Sequence, residues 1–86
     1  MTPFLADVIG LLGSATFIAA FAYANWAKSF DKLWFNAANL LGAILLLISL
    51  SVTFNLAAFV LEAAWAAIAF AGLVAAIRAR RRKVPE

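Results

Sequence analysis

Residues 33–61 read LWFNAANLLGAILLLISLSVTFNLAAFVL, 29 residues without a charge, and the run stops at Glu62. A helix needs about 20 mostly apolar residues to cross the hydrocarbon of a bilayer, so this run is too long for one crossing. Its polar break at Thr53 to Asn55 divides it between two helices. Outward from it, Val8 to Ala27 (20 residues) and Ala63 to Ile77 (15 residues) are also uncharged. The chain reads as three crossings joined by short turns.

Composition points the same way. The chain has 86 residues, 67% of them hydrophobic and 13% charged, and its mean hydropathy is +1.02. A soluble domain this short would leave much of that apolar surface in water. The expected fold class is therefore all-α, an integral membrane three-helix bundle that takes up residues 1–86 as a single transmembrane domain. Thr2 followed by Pro3 predicts a cap and first helical residue, with helix 1 over about 3–27. Lys28 to Asp31 forms the first turn, and Ser29 or Asp31 caps helix 2 over about 32–52. Helix 3 follows Asn55 and covers about 56–80, leaving a basic tail at 81–86. The first apolar run is not read as a secretory signal, because the segment before it holds Asp7 and no Lys or Arg.

Orientation follows from charge. With three crossings, the first turn and the C-terminus share one side, and all seven basic residues fall there: Lys28, Lys32, Arg78, Arg80, Arg81, Arg82 and Lys83. The positive-inside rule makes that side cytoplasmic and puts the N-terminus outside. Trp26 and Trp34 flank the same turn and suit an interfacial aromatic belt. The basic tail reads as a topology anchor that attracts anionic lipid.

The missing residue types exclude several functions. There is no Cys and no His, and the four acids are scattered. No disulfide framework, thiolate, imidazole base or zinc site is expected, so the chain is not expected to be an enzyme or to carry a metal or cofactor. It has no glycine-rich phosphate loop. No nucleic-acid partner is expected either, since the basic tail lacks aromatic platforms beside it.

At 100° per residue, Asn36, Asn39, Gly42, Leu46, Ser49 and Thr53 of helix 2 fall within one arc of about 140°. On helix 3, Asn55, Ala58, Glu62, Trp65, Ala66, Ala69, Gly72 and Ala76 share a face. Helix 1 aligns Asp7, Gly10, Ser14 and Asn25. Ordinary packing explains much of this, because small residues let membrane helices approach and hydroxyls bond across the seam. Ala63, Ala67, Ala71 and Ala75, four apart, fit such packing. Ser14, Asn36, Gly42 and Ser49 are expected to pack or to line a pathway.

Glu62 needs more explanation. It lies about two turns into helix 3, roughly 10 Å from the end, where an ionised carboxylate is costly and usually functional. Arg78 is ~24 Å farther along at helical rise. Glu62 is therefore expected to be a proton or substrate site, with Trp65 and Asn39 lining the same cavity. Asp7, placed in the first turn of helix 1, has the helix dipole for support and sits by the outer mouth.

Ile9-Gly10, Asn39-Leu40-Leu41-Gly42-Ala43 with Leu45 to Leu47, Phe54-Asn55-Leu56, and Val60-Leu61-Glu62 with Trp65 resemble a family of small uncharacterised bacterial membrane proteins, sometimes labelled permeases. The likeness covers about residues 5–73, and the Glu-x-x-Trp element is its most specific part. More distantly, the three-helix plan resembles SemiSWEET sugar transporters and the PQ-loop group, in which two three-helix units pair in parallel around a central path. The Pro-Gln pair of that group falls on Tyr23-Ala24, its helix-2 Trp on Leu46 and its helix-3 Asn on Glu62. These resemblances imply a parallel homodimer in a bacterial inner membrane that moves a small solute. The alternative expectation is a non-transporting accessory or regulatory subunit of a larger membrane complex. A small multidrug exporter also uses a membrane Glu in a dimer, but such exporters have four helices and often insert both ways up.

Overall fold

The computed structural model describes residues 1–27 and 31–82, and among these the chain forms three α-helices and no strand. They are α1 (Pro3–Trp26), α2 (Lys32–Leu50) and α3 (Leu56–Arg82). All three are long and apolar enough to span a membrane.

Each helix begins on a side-chain cap. Thr2 Oγ1 accepts from the Leu5 N–H at 3.1 Å, and Pro3 fills the first helical position, where no intrahelical donor is needed. Asp31 Oδ1 accepts from the Leu33 N–H at 2.9 Å and caps α2. The other expected cap, Ser29, lies outside the described residues, as do Lys28 and the tail from Lys83 to Glu86. Asn55 Oδ1 accepts from the Ala58 N–H at 3.1 Å at the start of α3.

The helix ends differ from expectation by a few residues. α2 stops at Leu50 rather than Val52. There the Ser51 N–H is shared between the Leu47 and Ile48 carbonyls, and the Val52 N–H turns to Ser49 O at 3.2 Å. The Ser51 hydroxyl donates to Ile48 O at 2.6 Å and competes with continued helix. α3 carries Arg80, Arg81 and Arg82 in its last turn, where positive charge meets the carbonyl end of the helix dipole. The first turn of α1 holds no acid. A turn counted from Pro3 ends at Ala6, so Asp7 opens the second turn and the expected first-turn placement is corrected.

α2 is the middle helix: it packs against both α1 and α3, while these two do not pack along each other. The core is made of small side chains. Ala6, Gly13 and Ala20 are buried on α1, Asn39, Gly42 and Ala43 on α2, and Ala69 on α3. Phe4, Leu11, Ile18, Phe21, Ile68 and Phe70 point outward. In water this layout would be inside out; in lipid, small residues inside let helices approach while large ones face acyl chains.

The α1–α2 seam is built on backbone contact. A Cβ on Gly13 would stand 2.9 Å from the Gly42 carbonyl oxygen, and one on Gly42 would stand 3.1 Å from that of Gly13. Ser49 Oγ donates to Ala6 O at 2.7 Å across the same seam. At the opposite end Asp31 ties all three helices: its N–H donates to the Tyr23 hydroxyl at 2.9 Å and its Oδ2 pairs with the Arg80 guanidinium. The alanine row behaves otherwise than expected. Ala67, Ala71 and Ala75 are exposed, because that side of α3 points away from α2.

Candidate functional site

The small and polar arc of α2 serves two neighbours. Gly42 and Ser49 face α1, where Gly42 meets Phe17 and Gly13 and Ser49 bonds Ala6. Asn36 and Asn39 face α3: Asn36 packs against Gly72, and Asn39 bonds Trp65. An arc of about 140° is wide enough to reach a helix on each flank.

Asn39 is buried and both ends of its amide are engaged. Its Nδ2 donates to Phe35 O at 2.9 Å, and its Oδ1 accepts from Trp65 Nε1 at 3.0 Å. The Trp65 ring lies 5.1 Å from that of Phe17 at an interplanar angle of 35°, a side-chain contact between α1 and α3 across an otherwise open cleft. A cavity of about 290 Å³ opens beside the pair, with Phe17, Ile18, Phe21, Asn39 and Trp65 in its wall. A second, of about 240 Å³, is lined by Asn36, Asn39, Trp65, Ile68 and Ala69. Asn36 Nδ2 donates to Lys32 O at 2.8 Å, so its oxygen is the end turned toward Gly72.

Glu62 is half-buried in the α2–α3 seam, and its Oε1 is buried without a hydrogen-bond partner among the described residues. The register explains why. The Asn36–Gly72 and Asn39–Trp65 contacts place Glu62 level with Gly42 to Leu46 of α2, a stretch with no polar side chain. The basic residues of α3 begin at Arg78, ~24 Å away along the helix. A carboxylate oxygen buried beside an apolar stretch without a donor is costly unless it carries a proton or meets a cation or donor from elsewhere.

The remaining expected site residues are more scattered. Ser14 is half-buried on α1, one position from Gly13, at about the depth of Glu62. Asp7 is exposed, and no hydrogen bond joins it to Glu62 among the described residues. Thr16 Oγ1 donates to Leu12 O at 2.8 Å within its own helix. Trp26 and Trp34 are exposed at the basic end, as a belt residue would be. No group of three His, Cys, Asp or Glu side chains that could hold a metal occurs among the described residues.

Two features were not read from the sequence. Phe17, which touches both Gly42 and Trp65, is one aromatic among many in an apolar run and carries no distinguishing signal. The Asp31–Arg80 pair joins residues 49 apart. Only the shared side of the membrane hinted at it. The Arg80 guanidinium holds the Asp31 carboxyl below its ordinary range; desolvation opposes this, and the cap bond from the Leu33 N–H adds to it.

A model of an uncharacterised protein family matches residues 6–81, and the chain belongs to that family. No curated protein and no solved structure matches the chain.

Proposed function

We propose that this family member is one half of a small membrane transporter, with Glu62 as its proton or substrate site. The observation that carries the reading is the buried, partnerless Oε1 of Glu62 in a seam that also holds the Asn39–Trp65 pair. Three helices with α2 in the middle cannot surround a solute path, whereas a parallel pair can enclose one between their polar flanks. In such a pair every residue keeps its depth, so a second Ser14 and a second Glu62 come to the level of the first. Asn39 and Trp65 line the path, and Asp7 stands nearer its mouth. The pairing follows the SemiSWEET-like plan, in a bacterial inner membrane with the basic end in the cytoplasm.

The test has two arms. Single-molecule photobleaching in bilayers is expected to show two copies per particle, and a strict monomer overturns the half-transporter. Solid-supported-membrane currents, screened over amines, amino acids and sugars, are expected from the natural chain and absent from Glu62→Gln. A fully active Gln variant removes Glu62 from the mechanism. The open cleft between α1 and α3, which leaves Trp65 44% exposed, also suits a helix of a larger complex. In that accessory role the isolated chain moves no solute and a constant partner copurifies from native membranes.

A further inference from the structure

A larger cavity than the two beside Trp65 lies on the flank opposite the polar cleft. It is a groove of about 860 Å³ between α1 and α2, with Ala15, Ala19 and Ala38 among its wall residues. It reaches from Leu12 and Leu45 to Tyr23 and Trp34. Eleven residues of helix rise make that ~16 Å, about half the ~30 Å hydrocarbon thickness, so the groove spans the depth of one leaflet. Thr16 and Tyr23 already bond within the fold: Thr16 Oγ1 donates to Leu12 O, and the Tyr23 hydroxyl accepts from the Asp31 N–H. The rest of the wall is alkyl and aromatic, the lining an acyl chain needs.

Charge selects the headgroup. The groove opens at the end where Lys32, Arg78, Arg80, Arg81 and Arg82 gather, and the described acid at that end, Asp31, is already paired with Arg80. Basic residues near a membrane surface attract anionic lipid. Trp34, 66% exposed, stands at the mouth of the groove where an interfacial aromatic belongs.

We propose that this groove holds an acyl chain of an anionic phospholipid from the leaflet at the basic end. The test uses the full chain with Trp26→Phe and Trp65→Phe, so that Trp34 alone reports, in vesicles containing either brominated phosphatidylglycerol or brominated phosphatidylcholine at equal mole fraction. The brominated phosphatidylglycerol is expected to quench Trp34 about twofold more strongly. Ala15→Leu and Ala19→Leu, tested separately, each restore parity, since both alanines are exposed and a longer side chain fills the groove without entering a helix seam. Equal quenching by the two lipids in the parent chain overturns the proposal, as does a preference that survives both leucine variants. Trp34 shielded from both lipids also overturns it, because a protein then covers the groove.

Discussion

Where α1 meets α2, two glycines bring backbone against backbone and the Ser49 hydroxyl ends on the Ala6 carbonyl. Where α3 meets α2, the contact runs through side chains: an amide bonded to an indole, a second amide against Gly72, and a carboxyl oxygen bonded to nothing. Among the described residues the first seam leaves no buried side-chain polar atom without a partner. The second retains an unmet bonding need in the interior, where a chain selected for stability alone would place Leu. The contrast puts a closely fitted backbone seam on one side of α2 and, on the other, the seam on which the proposed function rests.

The largest expected effect comes from spoiling the scaffold seam. Gly13→Ala sets a methyl 2.9 Å from the Gly42 carbonyl oxygen, and backbone cannot swing aside as a side chain can. The cost is expected to be ~1–3 kcal/mol, and Gly13→Leu should separate the helices altogether. Gly10→Ala should cost less, because its methyl would meet Ser49 Oγ at 2.7 Å, the end of a side chain that can rotate. Unfolding in lipid by steric trapping measures both. Equal costs at the two positions would show that α1 and α2 are less tightly joined than the glycines imply.

The opposite sign is expected in the other seam. Glu62→Leu removes an unpartnered buried carboxyl oxygen and should stabilise the chain by ~1–3 kcal/mol while abolishing the proposed transport. A destabilised leucine variant would mean that Glu62 has a partner in the membrane that holds the seam together.

Much of the architecture was legible in the sequence, because lipid imposes its rule on every residue of a span. The 29-residue uncharged run broken at Thr53 to Asn55 requires two crossings, and Thr2-Pro3 marks where α1 begins. Angular counting grouped Asn36, Asn39, Gly42 and Ser49 on one side of α2, but it could not divide them between neighbours. That division depends on α2 lying in the middle, and helix order across the bundle leaves no mark on the periodicity of a single helix. Ala63, Ala67, Ala71 and Ala75 show the same limit: four-residue spacing identifies a smooth stripe and does not say what it touches. Glu62 stood out in the sequence because no basic residue lies near it in the span, and the apolar register of Gly42 to Leu46 supplies the local reason it lacks a donor.

A smaller effect should come from the indole bond. Trp65→Phe keeps the ring against Phe17 but removes the Nε1–H that donates to Asn39 at 3.0 Å. Side-chain hydrogen bonds between membrane helices average about 0.6 kcal/mol by double-mutant cycle. A cycle of Trp65→Phe with Asn39→Leu should therefore return a coupling near that size, and one near zero would leave Asn39 serving only its own helix.

The smallest effect is expected outside both seams, at the tie that joins their basic ends. Asp31→Asn keeps a side-chain oxygen able to cap α2, since Asn caps as well as Asp, and loses only the attraction to Arg80. Because the pair is largely exposed, salt and water weaken it. The pH dependence has a definite sign. The folded carboxyl titrates below its ordinary range, so the stabilisation is fully present above the ordinary aspartate pKa of about 3.9 and fades as pH falls through the lowered folded value. Melting curves in detergent at stepwise lower pH should show the natural chain slightly above Asp31→Asn at neutral pH and level with it once the carboxyl is protonated. A gap between the two that persists unchanged to the lowest pH would show that Asp31 works through its cap geometry and that the arginine contributes nothing to holding α3 against α2.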